Sequence, residues 1–154
     1  MHVNQHFHVA GVAGVGMSAL AELLLGLGHA VSGSDRSHDQ GQRLEVLDRL
    51  QRAGLQLRPQ DGSAVTADTA ALLVSTAIEG DNVELAAARR LGVEVVHRAA
   101  MLARLARGRE VVAIAGTAGK TTVTALTGWL LAELGRDPTV VNGGVVLNWA
   151  GPDR

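Results

Sequence analysis

The stretch Phe7-His8-Val9-Ala10-Gly11-Val12-Ala13-Gly14-Val15-Gly16-Met17-Ser18 runs from a short apolar segment into a glycine-rich turn. From Met17 to Leu25 strong helix formers follow, stopped by Gly26 and Gly28. The pattern is strand, glycine turn, helix. Outward from it, Ala30-Val31-Ser32-Gly33-Ser34 reads as a second strand. Gln42 to Ala53 reads as a helix with Leu44, Leu47 and Leu50 on one stripe and charged residues on the other. Leu55-Gln56-Leu57 alternates weakly, Ala70 to Ser75 is short enough for a buried strand, Asn82 to Leu91 is a helix ended by Gly92, and Val93 to Val96 is a further strand. Strands alternating with helices across short loops predict α/β architecture, a Rossmann-like doubly wound parallel sheet, because parallel neighbours need crossover helices.

Ala99 to Arg107 extends this region by one more helix, and Gly108-Arg109 punctuates it. A new unit then begins: strand Glu110 to Ala115, a second glycine turn, helix Lys120 to Leu134, and Thr139-Val140-Val141 as another strand. The expected division is 1–108 and 109–154.

Composition removes several classes of function. Among 154 residues there is no cysteine, which excludes disulfide scaffolds, thiolate metal sites and a cysteine nucleophile, and suits a reducing cytoplasm. A net charge of −1 offers no footprint for a nucleic-acid backbone, and two Trp, one Phe and no Tyr give too few aromatic faces to stack bases. No apolar run approaches the roughly 20 residues of a membrane span, and Met1-His2-Val3-Asn4-Gln5 lacks the features of a signal peptide. The expected location is cytoplasmic, with neither nucleic acid nor membrane as partner.

The first turn, Gly11-Val12-Ala13-Gly14-Val15-Gly16, lies where a phosphate meets free backbone N–H groups and the positive end of a helix dipole. Ala13 occupies the second glycine position of the dinucleotide fingerprint, with Gly14 one residue on. Asp35 ends Gly33-Ser34-Asp35 near the spacing at which an acid accepts hydrogen bonds from a ribose; a structural turn with a helix-capping Asp is the competing reading. The second turn, Gly116-Thr117-Ala118-Gly119-Lys120-Thr121-Thr122, is the more specific signal. A phosphate loop needs glycines so that N–H groups converge on the anion, a Lys to reach the outer phosphates and a hydroxyl to hold Mg²⁺. Lys120 and Thr121 have those positions, in a shortened loop with Ile114 where the full pattern has glycine.

Weaker candidates surround these turns. His97-Arg98 and Ser75-Thr76-Ala77 follow predicted strands at the sheet edge where ligands bind, so Arg98 could contact a phosphate and the two hydroxyls could line the same crevice; a surface or helix-capping role for the first pair and an ordinary loop for the second compete equally. His6 and His8 alternate on one side of a strand and could join His2 around a metal, but a frayed, solvated N-terminus is favoured.

Taken in order, the Gly11-to-Ser18 turn, Val31-Ser32-Gly33-Ser34-Asp35, Ser75-Thr76-Ala77-Ile78 with Asp81-Asn82, His97 to Leu102 and Gly116 to Thr122 resemble the N-terminal part of the Mur ligases of bacterial cell-wall synthesis, over about residues 6–149. The resemblance implies an ATP-dependent ligase joining L-alanine to UDP-N-acetylmuramate in peptidoglycan biosynthesis. It places the UDP-sugar near Gly11, Ala13, Gly14, Val15, Gly16, Ser34, Asp35, Ser75, Thr76, His97 and Arg98, and ATP on Gly116, Thr117, Ala118, Gly119, Lys120, Thr121 and Thr122. In the family, ATP phosphorylates the muramoyl carboxylate and the amino acid attacks the acyl phosphate. By resemblance, Lys120 steadies the transferred phosphoryl group and Thr121 the Mg²⁺.

A family member continues beyond such a segment, so this chain is expected to be a piece without ligase activity by itself, with 109–154 the incomplete start of the ATP-binding domain. A non-catalytic nucleotide-binding module is the alternative. A nicotinamide-dependent oxidoreductase is weaker, because it leaves the second loop unexplained.

Overall fold

The structure, a computed structural model, describes residues 4–78, 80–144, 146 and 149. It divides into two compact units, Met1–Arg107 and Gly108–Arg154. In the first unit the elements run β1 (His6–Ala10), α1 (Val15–Gly26), β2 (Ala30–Ser34), α2 (Arg36–Asp39), α3 (Glu45–Arg52), β3 (Gln56–Leu57), β4 (Thr69–Val74), α4 (Val83–Leu91), β5 (Glu94–His97) and α5 (Arg98–Leu105). The strands form one sheet in the order β3-β2-β1-β4-β5, all pairs parallel. Phe7 of β1 lies opposite Val31 of β2 on one side and Ala71 of β4 on the other, so the strand order reverses at β1.

The expected doubly wound sheet is present, with a core on each face. Phe7, Val9, Val31, Ala71, Leu73 and Val96 project to one face, where Met17, Leu20, Ala21 and Leu24 of α1, Leu47 and Leu50 of α3 and Met101 of α5 close over them. Ala10 and Leu72 project to the other face, covered by Leu85, Ala87 and Ala88 of α4 and by Val65 from the loop before β4. Side chains alternate along a strand, so both residue sets of a central strand must be buried.

Two boundaries depart from the sequence reading. The helix expected from Gln42 begins at Glu45, because Gly41 adopts φ 84° and Leu44 is extended at φ −121°. The chain before it forms the short α2, whose N-cap Asp35 accepts a hydrogen bond from the Ser37 N–H at 3.0 Å. α4 is bounded as expected: Asn82 caps its start and Gly92, at φ 70°, ends it.

The second unit contains helix α6 (Lys120–Glu133). The strands expected at Glu110 to Ala115 and Thr139 to Val141 do not form ladders: those residues carry no strand pairing. A strand is held by its neighbours, and among the described residues this unit supplies none. Val111, Val112, Val123, Leu126, Leu130 and Leu134 are accordingly exposed. What packing there is centres on Gly128, where a Cβ would meet Val140 and come within 3.0 Å of the Trp149 ring.

Leu20 lies fully buried between α1 and the sheet. Leu20→Ala is expected to destabilise the first unit by about 2–5 kcal/mol, read from the urea midpoint at unchanged slope.

Candidate functional site

Every candidate nucleotide-site residue of the first unit lies at the carboxyl edge of the sheet. The glycine turn follows β1, Ser34 and Asp35 end β2, Ser75 and Thr76 follow β4, and His97 and Arg98 join β5 to α5. Because the order reverses at β1, the crossovers leaving β1 and β4 part on opposite faces and open a crevice at that edge, where open α/β sheets bind ligands.

Most of the turn's own N–H groups are occupied by protein. Val12 N–H donates to the Ser34 carbonyl at 2.9 Å, Gly14 N–H to the Gly11 carbonyl at 3.1 Å, and Ala13 N–H to Oδ2 of Asp35 at 3.1 Å. Val15 and Gly16 N–H, the first two of α1, have no acceptor among the described residues, and the helix start carries neither a side-chain cap nor an acidic residue. Those two groups and the helix dipole form the anion-facing part of the turn.

Arg98 supplies the matching charge. Its guanidinium lies against the open side of Gly16, so closely that a Cβ there would fall within it. No carboxylate pairs with Arg98 among the described residues. Gly16 thus admits a guanidinium beside two unpaired N–H groups, a combination suited to a phosphate or diphosphate.

The remaining candidates act on protein groups. Asp35 is buried and uses both oxygens on backbone, Oδ2 on Ala13 and Oδ1 on Ser37, which ties the glycine turn to α2. His97 caps α5 by accepting the Ala99 N–H at Nδ1, 3.2 Å. Ser75 Oγ accepts the Ala77 N–H at 3.3 Å, while Thr76 is exposed at the loop surface. Ser34 differs: its hydroxyl is fully buried with no hydrogen-bond partner.

In the second unit the loop before α6 has phosphate-loop character. Gly119 is the N-cap at φ 75°, a left-handed conformation that suits glycine, and α6 begins with no side-chain cap and no acid in its first turn. Lys120 Nζ folds back to donate to the Gly116 carbonyl at 2.6 Å and the Thr117 carbonyl at 3.5 Å. Asn142 Nδ2 donates to the Thr121 carbonyl at 3.2 Å, bringing Gly144 against the Thr121 methyl. The donor set of backbone N–H groups, an ammonium and a hydroxyl fits a polyphosphate. For Mg²⁺ the loop offers the Thr121 hydroxyl, and no cluster of three or more His, Asp or Glu capable of holding a metal occurs among the described residues.

His6 and His8 are not a solvated terminus. They sit in the central strand on the face covered by α4, and β1 pairing on both edges draws them inside. Ser32 Oγ bridges His6 Nε2 at 2.8 Å and His8 Nδ1 at 2.7 Å; His8 Nε2 meets Glu84 Oε1 at 2.8 Å, with both side chains fully buried. A carboxylate accepts, so His8 Nε2 donates. Glu84, in the first turn of α4, reads in sequence as an ordinary helix-start acid, and nothing in its local pattern announces a partner on β1. His2, the third residue of the metal reading, lies outside the described residues.

An open parallel sheet whose order reverses at a glycine turn defines the Rossmann-like class of doubly wound α/β folds. A sequence model described as the Mur ligase family, catalytic domain, matches residues 6–110. The UDP-N-acetylmuramate–L-alanine ligase of Burkholderia cenocepacia strain HI2424 is 46% identical over 147 residues, covering 96% of this chain and 30% of that protein. The crystal structure of the UDP-N-acetylmuramate-alanine ligase from Thermotoga maritima aligns with TM-score 0.82 and 30% identity, over 95% of this chain and 33% of that one. A UDP-N-acetylmuramate:L-alanyl-gamma-D-glutamyl-meso-diaminopimelate ligase from Neisseria shares the fold at TM-score 0.85 and 23% identity, over 96% of this chain and 45% of that one. The chain belongs to the Mur ligase family, and it spans less than a third of the length of the curated relatives it matches. Among the described residues no helix is long and apolar enough to cross a membrane.

Burial, and next the neighbouring His8, hold His6 below its ordinary value of 6.5. Protons therefore bind the unfolded chain more readily, and the stability His6 contributes is present above the unfolded value and lost as pH falls through the lower folded one. The urea midpoint of the native chain is expected to fall more between pH 7.5 and 5 than that of His6→Gln.

Proposed function

We propose that an N-terminal domain, residues 1–108, binds the diphosphate end of UDP-N-acetylmuramate, and that residues 109–154 begin an ATP-binding domain. On this reading the chain is part of a cytoplasmic ligase that joins L-alanine to UDP-N-acetylmuramate for peptidoglycan synthesis. The observation that carries the reading is the Arg98 guanidinium packed on Gly16 beside the unpaired Val15 and Gly16 N–H groups. Its support is membership of the Mur ligase family and identity with enzymes named for that substrate.

On this reading each residue takes one role. Val15 and Gly16 donate to one phosphate and Arg98 neutralises the charge, while Asp35 holds the turn in shape through Ala13. Ser34, Ser75, Thr76 and His97 border the nucleotide, and Gly11 and Gly14 let the turn form. In the second unit Gly116 to Thr122 cradle the phosphates of ATP. Lys120 exchanges its two loop carbonyls for phosphate oxygens, and Thr121 offers its hydroxyl to Mg²⁺. Bound ATP supplies the phosphoryl group that activates the carboxylate; this chain's residues bind and orient it.

Isothermal titration with UDP-N-acetylmuramate tests the reading. Saturable binding is expected, with UDP competing and NAD(H) inert. Arg98→Ala removes a charge-assisted contact of about 1.5–3 kcal/mol, which is a Kd raised about ten- to hundredfold. Gly16→Ala is expected to weaken binding in the same direction with no loss of fold stability, because its Cβ displaces only the flexible end of Arg98. Absence of binding by the folded chain would overturn the proposal.

A further inference from the structure

We infer that the buried His8–Glu84 hydrogen bond is a positioning device that sets the segment Ser75–Ile78 at its working height over the glycine turn. Neither side chain is exposed, so neither touches ligand. The consequence for binding rests on the UDP-sugar reading; the positioning itself does not.

Three observations converge. Glu84 is a costly choice for its place: its Oε1 is paired at 2.8 Å, but Oε2 is buried with no hydrogen-bond partner. An apolar residue there would avoid that cost only by stranding the buried His8 Nε2–H without an acceptor, and an exposed acid would serve the helix dipole equally well. What the buried carboxylate adds is direction. The apolar contacts of Leu85, Ala87 and Ala88 hold α4 on the sheet without direction of their own, whereas a short hydrogen bond between fully buried groups adds a directional restraint at one point of the helix.

The bond also lies where rotation and slide matter. Glu84 is in the first turn of α4, whose cap Asn82 accepts the Glu84 and Leu85 N–H groups at 2.8 and 3.4 Å, so pinning Glu84 pins the helix start. Upstream, Ser75–Ile78 folds on itself through Ala77 N–H to Ser75 Oγ and Ile78 N–H to the Ser75 carbonyl. Ile78 then reaches the turn, its Cδ1 lying 3.5 Å from where a Cβ on Gly11 would stand. His8 belongs to the strand that ends in that turn. One strand thus carries both the turn and the anchor for the segment above it.

Amide hydrogen exchange and titration with UDP-N-acetylmuramate, on the full chain, test this with three variants. Glu84→Met deletes the acceptor at similar length, Glu84→Gln keeps a carbonyl oxygen for the His8 N–H, and Ser32→Ala breaks the other His8 contact while leaving Glu84 in place. In Glu84→Met the Ala77 and Ile78 amides are expected to exchange at least about tenfold faster over and above any change at Val9 and Leu73, and the Kd to rise about tenfold. Glu84→Gln is expected to recover both, and Ser32→Ala to match the native chain. Acceleration spread evenly over the unit, or no change at Ala77 and Ile78, would overturn the inference. Should Glu84→Met not fold, Glu84→Asp, one methylene short, makes the same comparison. If the native chain binds no UDP-sugar, the proposed function fails and the exchange rates alone decide the positioning.

Discussion

Strand β1 is paired in parallel on both edges and covered on both faces, and the other features of the first unit follow from what that position demands. Its backbone is committed to β2 and β4, so whatever leaves its carboxyl end must turn sharply, and Gly11, at φ 66°, makes that turn. Its neighbours' crossovers part at the same place, so the turn opens into a crevice. Its two faces need different partners: Phe7 and Val9 meet α1, whereas His8 meets Glu84 of α4.

The second unit shows the converse. Helix α6 carries a well-formed phosphate-loop start, yet Leu126, Leu130 and Leu134 face solvent and the flanking segments form no ladder. The local chemistry of a phosphate loop needs only a few residues with the right backbone conformation. A parallel sheet needs several strands before any of them is stable. Local signals therefore stand here although the described residues around them form no ladder.

This division explains what the sequence made legible. The strands and helices of the first unit follow from apolar runs and glycine stops, and the glycine turns, being contiguous, are visible as motifs. The start of α3 is not legible in sequence because Asp35 capping α2 and Gly41 turning the chain act over a stretch with no periodicity of its own. The burial of the histidines is not legible either, because it depends on β1 lying centrally, a property of strand order that no local pattern contains. Glu84 is the same case: a first-turn acid whose partner stands 76 residues earlier. At the crevice, sequence reading gathered residues that do share one edge, but it could not separate Arg98, which faces the turn, from Asp35 and His97, which hold protein backbone.

The contact between Gly16 and Arg98 changes what a glycine in this kind of fingerprint signifies. A glycine in such a turn is commonly read as making room for a ligand's phosphate; here it makes room for a guanidinium from the same chain. The two positions lie on different helices and far apart in the chain, yet neither can vary alone without changing what the other does. In relatives that place a different residue at one of them, compensation is to be sought at the other, and a scan of single substitutions would record as two independent sites what is one joint steric choice.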